Sequence, residues 1–258
     1  MKPRNHLHAL TCFILPLALF TAVWTSCVEK DFSDAMKRRA QLGLPGRFVH
    51  VTIAVELAGS PENLHAIFGD TASTVSAESP SDRQRVNKGL FRDYFLIAGY
   101  TSLMLLLGLR TWQPGFPSTA GMRLLLVTLP LLVALCDVAE NIGAQIALSH
   151  YPDVSASLTR CTSAASWAKW ILGFLQMIFL GRSMLGLARQ PSAGAFLREL
   201  AGIILLSAGV IGLFGIFFPA IIPNTFVFGL LSIVPFGFML FFRDQWWDCA
   251  CRLSQLRR

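Results

Sequence analysis

Six apolar stretches punctuate the chain, at residues 9–28, 93–109, 124–148, 167–187, 200–218 and 226–242. Each is of roughly the 20-residue length that carries an α-helix across a bilayer. Short polar connections join them, apart from one long segment, residues 29–92. The pattern predicts an all-α polytopic transmembrane bundle of about six spans, with a small extramembrane cap between the first and the second. Residues 1–28 read as an N-terminal, signal-anchor-like span, residues 29–92 as the cap, residues 93–242 as a five-helix bundle and residues 243–258 as a basic tail. A cleaved leader is the alternative for the first stretch, but Trp24 spoils the small-x-small site that cleavage needs.

The third stretch, LLLVTLPLLVALCDVAENIGAQIAL, is not uniformly apolar. Asp137, Glu140, Asn141 and Gln145 lie in its second half. At roughly 100° per residue these four share little more than a third of the helix circumference, so the helix carries one polar stripe on an apolar body. Two acids near mid-membrane cost about 5 to 7 kcal/mol, and thirteen Leu, Ile and Val residues offset about 4 to 8. The span is close to break-even alone and needs neighbours, protonation or water along its stripe. Intramembrane carboxylates are functional candidates. Polar glue between helices is the plainer reading of the same residues.

Within the long segment, Val49, Val51, Ile53, Val55 and Leu57 alternate with more polar positions, a period-2 strand signal with a helix as its rival. Ser60-Pro61-Glu62 supplies an N-cap, an N1 proline and an acidic first turn, which predicts a short helix to about Phe68. Residues 71–88, rich in Ser, Thr, Asp and Arg, read as a mobile loop. In the fifth stretch Gly202, Gly209, Gly212 and Gly215 predict close helix packing rather than a site.

Basic residues orient the spans. With the N-terminus inside, Lys2, Arg4, Arg110, Arg123, Arg182, Arg189, Arg198 and the C-terminal arginines all fall on the inner side, whereas the short outer loops hold only Arg160. The outer segment 29–92 carries many basic residues too, nearly balanced by acids. All six tryptophans lie near predicted span ends, where indoles prefer the headgroups.

Composition agrees. Of 258 residues, 53% are hydrophobic and 14% charged, with a mean hydropathy of +0.54, too apolar for an ordinary soluble domain. The net charge of +7 follows from basic residues that flank the spans, so membrane lipids, not nucleic acid, are the expected partners, with a protein partner or a second copy of the chain beside them. The six cysteines form no metal-ligand quartet, and all five histidines lie outside the apolar stretches. No HExxH, GxSxG or Gly-rich phosphate loop is present, so neither a metal nor a cofactor nor a nucleophilic triad is expected.

The candidate site is therefore the intramembrane polar set Asp137, Glu140, Asn141 and Gln145, with Lys169 near the outer end of the fourth span and Asp93 at the outer start of the second. A network of Asp93, Glu140 and Lys169 would neutralise buried charge. Snorkelling of Lys169 to the headgroups is the alternative. Tyr94 and Tyr100 stand by to add hydroxyls.

Four stretches, Glu56-Leu57-Ala58-Gly59-Ser60-Pro61-Glu62, Asp93-Tyr94-Phe95-Leu96 with Tyr100, Asp137-Val138-Ala139-Glu140-Asn141, and Lys169-Trp170, occur in an order that resembles a group of uncharacterised bacterial multi-pass membrane proteins. In those an ELAGSPE segment precedes an aromatic span and a later span with a D-x-x-E-N pattern. The resemblance covers roughly residues 48–187. It implies a bacterial inner membrane, in which the bias of the basic residues makes both termini cytoplasmic, and it implies no activity. The group is mainly four-spanning, so the last two spans here depart from it.

Three functions fit this sequence. The first is a non-enzymatic module that binds a partner or lipid through its outer cap and polar stripe. The second is a proton- or cation-coupled small-solute transporter using Asp137 and Glu140. The third is an intramembrane lipid-modifying enzyme with Glu140 as general base.

Overall fold

A computed structural model describes residues 37–40, 51–69, 79–110, 119–188, 195–215 and 217. Among these the fold is all-helical. After a helical turn at residues 37–40 come α1 (Val51–Glu56), α2 (Pro61–Phe68), α3 (Ser79–Arg110), α4 (Ala120–His150), α5 (Ala156–Ala188) and α6 (Ala195–Gly215). Three described segments are long and apolar enough to cross a membrane: Asp82–Leu109, Ala120–His150 and Ala156–Gly186. The described apolar part of α6, Glu199–Gly215, is shorter. The predicted first and sixth spans and the basic tail lie outside the described residues.

Helices α3 to α6 pack in sequence, each against the next. Tyr100 meets Asp137 and Asp93 meets Asn141, so α3 and α4 run antiparallel. Lys169 meets Asp137 and Glu140, and Gly143 faces Thr162, so α5 runs back along α4. The outward face of α4 is aliphatic: Leu124, Leu131, Leu132, Leu135, Ile142 and Ile146 are all exposed. A face of that kind requires an apolar surrounding.

Pro130 stands inside α4 and is buried. It has no N–H to give the Leu126 carbonyl. Gly108 of α3 lies against that same carbonyl, at a spot where any Cβ would collide with it. A residue with no side chain thus lets α3 close over the interruption in α4.

Several sequence expectations shift. Residues 51–56 form a helix and not a strand. Val51, Ala54, Val55 and Ala58 are buried, and that spacing is a helical stripe. The alternating pattern had assigned Ala54 to the polar side. The loop expected over residues 71–88 gives way to α3 from Ser79, because Val86 and Leu90 supply buried positions four apart within the polar run. Helix α5 starts at Ala156, well before Trp167. Its Ser- and Thr-rich first turns stay helical while Thr159 and Thr162 return their hydroxyls to backbone carbonyls, at 3.0 and 2.9 Å. Helix α2 has the predicted bounds: Ser60 caps it, accepting from Asn63 N at 3.3 Å, and Gly69 ends it at φ 82°.

Tyr151, just past α4, fastens α2 to the long helices. Its hydroxyl donates to the Gly69 carbonyl, its ring packs on His65 and Phe68, and Arg83 of α3 lies 5.4 Å over it. Arg39 donates to the Ile67 carbonyl at 2.7 Å on the same segment. Apolar side chains of α1 and α2 share one core with Trp170, Phe174 and Met177 of α5.

Candidate functional site

The polar stripe of α4 faces inward, as an apolar surrounding demands. Asp137, Glu140 and Asn141 are buried, and Glu140 and Asn141 have no exposed surface. The charge that answers them comes from α5. Lys169 Nζ lies 2.8 Å from Glu140 Oε1, 3.0 Å from Asp137 Oδ1 and 3.4 Å from Glu56 Oε2. An ammonium has three donors, and here each has a carboxylate. Lys169 is itself buried, and its Nζ also lies 5.0 Å from the Trp170 ring centroid. It does not snorkel.

A second layer surrounds the first. Tyr100 donates to Asp137 Oδ2 at 2.7 Å, so both oxygens of Asp137 are engaged. Asn141 Nδ2 donates to Asp93 Oδ2 at 2.9 Å. Tyr94 donates to Gln145 Oε1 at 3.4 Å, one turn nearer the α2 end of the bundle. Ser166, fully buried, sets its hydroxyl beside Glu140. Glu140 Oε2, Asn141 Oδ1 and Ser166 Oγ make no hydrogen bond of good geometry among the described residues.

The structure thus joins Asp137, Glu140 and Lys169 in one cluster, sets Asp93 against Asn141 on the neighbouring helix, and ties Gln145 to Tyr94. It rearranges their pairing. Asp93 pairs with Asn141 and not with Lys169, and Asp137 takes the place that sequence reasoning gave to Asp93. The third carboxylate, Glu56, was missed. The alternating pattern put it on the polar, solvent-facing side of a strand. The nearest available signal was its position directly after the apolar run 51–55, an unusual place for an acid that is to be buried. The four stretches that carry the resemblance meet at this one site, through Glu56, Asp93, Asp137 with Glu140, and Lys169.

Three buried carboxyl groups surround one ammonium, an excess of acid in an interior that cannot solvate it. The ammonium occupies the centre that Glu56, Asp137 and Glu140 share. Among the described residues no set of three or more His, Cys, Asp and Glu side chains is arranged to hold a metal ion. Among the described residues Cys136 and Cys161 carry free thiols.

Glu56 lies outside the long helices. Burial raises its carboxyl well above the ordinary value, the charge of Glu140 adds to the rise, and Lys169 opposes it. A raised folded-state pKa means that the folded chain binds the proton better than the unfolded chain. The stabilisation is complete below the unfolded value of about 4.3 and is lost as pH rises through the folded value. Glu56→Gln is therefore expected to flatten the decline in thermal stability as pH rises from about 4.3 through the raised folded value. Melting curves of the two proteins across that range check it, and parallel curves would count against the assignment.

No protein-family model, curated protein or solved structure matches this chain.

Proposed function

We propose that this chain is an integral protein of a bacterial inner membrane with six spans and cytoplasmic termini, and that its role is binding and not catalysis. In this reading α1 and α2 form a small cap on the outer side. The protein engages a membrane partner or lipid through that cap and through the polar stripe beneath it.

One observation carries the reading. Lys169 is bonded at once to Glu56 of α1 and to Asp137 and Glu140 of α4. The cap is thereby joined to the middle of the bundle, and the groups that would do acid–base work are spent on one another. A general base needs a free lone pair within reach of a substrate proton. Glu140 has one oxygen on Lys169 and the other beside Ser166, with no exposed surface. The exposed aliphatic face of α4 and the resemblance to the ELAGSPE and D-x-x-E-N membrane proteins support the setting.

Hydrogen exchange over residues 51–57 in nanodiscs tests the tether. A chain whose cluster is charge-neutral, Lys169→Met with Glu56→Gln, Asp137→Asn and Glu140→Gln, is expected to fold and to exchange faster in α1 than wild type. Unchanged exchange would mean that this site does not hold the cap.

Transport is the second reading, favoured by the excess of carboxyls over ammonium. Some of them must carry protons to exist there, and a group that binds protons inside a bundle is the raw material of proton coupling.

A further inference from the structure

The described surface has a cleft of about 350 Å³ between α3 and α4, lined by Asn87, Lys88, Phe91, Arg92 and Gln145. It lies apart from the Lys169 cluster. Arg92 is about 12 Å from the level of Tyr100, counting eight residues at roughly 1.5 Å each.

Its chemistry is one-sided. Lys88 and Arg92 are four apart on α3 and so share one face. Gln145 has its oxygen turned to Tyr94, which leaves its NH₂ for the cleft, and Asn87 adds a second amide. No carboxylate lines the cleft, and Asp93, the neighbour of Arg92, is turned to Asn141. Two cations and two amides make a donor set for an anion with several oxygens.

Its position says which anion. The polar first part of α3 ends at Arg92, and the apolar run to Leu109 follows. Below the cleft, in the direction of that run, the surface is apolar and open. Phe91 and Phe95 are 60% and 47% exposed and meet edge to face at 5.8 Å. Ile142 and Ile146 on α4, which packs against α3, are exposed as well. A charged donor set with an exposed apolar strip leading away from it matches a molecule with an anionic head and an apolar tail.

We propose that the cleft binds the phosphate of an anionic phospholipid, with the acyl chains lying along Phe91, Phe95, Ile142 and Ile146. This names the lipid in the binding role above and rests on that reading's membrane setting. It does not depend on the Lys169 tether.

The test is lipid retention by the full-length protein, read by native mass spectrometry from micelles doped with phosphatidylglycerol or phosphatidylcholine. Wild type is expected to keep phosphatidylglycerol in preference, with about fivefold lower affinity for each of Lys88→Gln and Arg92→Gln and about 30-fold lower for the pair. Lys88→Arg should restore binding, and Arg160→Gln, outside the cleft, should leave it unchanged. Inorganic phosphate at millimolar concentration should not displace the lipid. Equal retention of the two lipids by wild type overturns the proposal even if a variant fails to fold. So does full retention by the folded double variant, or ready displacement by phosphate, which would make free phosphate the ligand. If lipid retention fails while the charge-neutral chain still loosens α1, the tether reading stands and only the lipid site falls.

Discussion

Lys169→Met is expected to be the most damaging single change in the described protein. It removes the one ammonium shared by Glu56, Asp137 and Glu140, all within 3.4 Å of it and all buried. Removing one partner of a buried pair typically costs about 3 to 5 kcal/mol, because the other charge is left uncompensated. Here three carboxylates lose their partner. Protonation relieves part of this, so the loss stays finite. Against a usual margin of about 5 to 15 kcal/mol, such a loss removes a large share of the stability. Folded protein recovered from membranes should fall on the order of tenfold or more. Adding Glu56→Gln, Asp137→Asn and Glu140→Gln to Lys169→Met should restore most of it, since neutral amides need no counter-ion. Glu140→Gln alone should be tolerated, as the amide keeps an acceptor for Lys169 and gains a donor that can reach Ser166. Size-exclusion profiles and melting temperatures of the four chains decide the matter. A Lys169→Met chain as stable as wild type would mean that the carboxyls are already neutral without it.

The second large effect is expected at Gly181, where α5 meets α6. A Cβ there would lie 2.7 Å from Leu206 N and 2.8 Å from Gly202 O, both backbone atoms that cannot swing aside. Gly181→Leu must push α6 off α5 and open the packing around the fully buried Leu205. Overpacking of side chains costs about 1 to 3 kcal/mol, and a clash with backbone belongs at or above the top of that range. In a bilayer, where close van der Waals packing and not the hydrophobic effect holds helices together, little else compensates. Gly173→Ala is the matched control: it lies in the same helix with nothing within 4 Å of its added Cβ. It is expected to be neutral or to stabilise by up to about 1 kcal/mol through helix propensity. Equal melting temperatures for Gly181→Leu and wild type would show that α6 is not seated as described.

Much of this arrangement was legible in the sequence, and the rest was hidden for identifiable reasons. The stripe on α4 was readable because four polar residues at helical spacing stand out against Leu, Val and Ile. Helix α2 was readable because Ser60, Pro61 and Glu62 are chemical punctuation for a helix start. The glycines of α6 announced close packing, and Gly202, Gly209 and Gly212 do lie against α5. The depth of Lys169 was not legible. The Ser- and Thr-rich turns from Ala156 read as loop, so the lysine seemed to stand near a helix end, whereas it lies about four turns in. Glu56 was hidden because positions 51 and 55 satisfy both a strand and a helix, and only tertiary contact with α4 and α5 decides between them. The pairing of Asp93 with Asn141 depends on the register of α3 against α4, which no local pattern encodes.

Proton flux in proteoliposomes tests most directly whether the buried cluster locks charge in place or carries it. Full-length protein would be reconstituted and an imposed pH gradient followed with an internal dye. With Lys169 held by three carboxylates at once, wild type is expected to dissipate the gradient no faster than protein-free vesicles, and Asp137→Asn should change nothing. A leak that requires wild-type protein and disappears in a folded Asp137→Asn chain would contradict the account and make the cluster a path for protons.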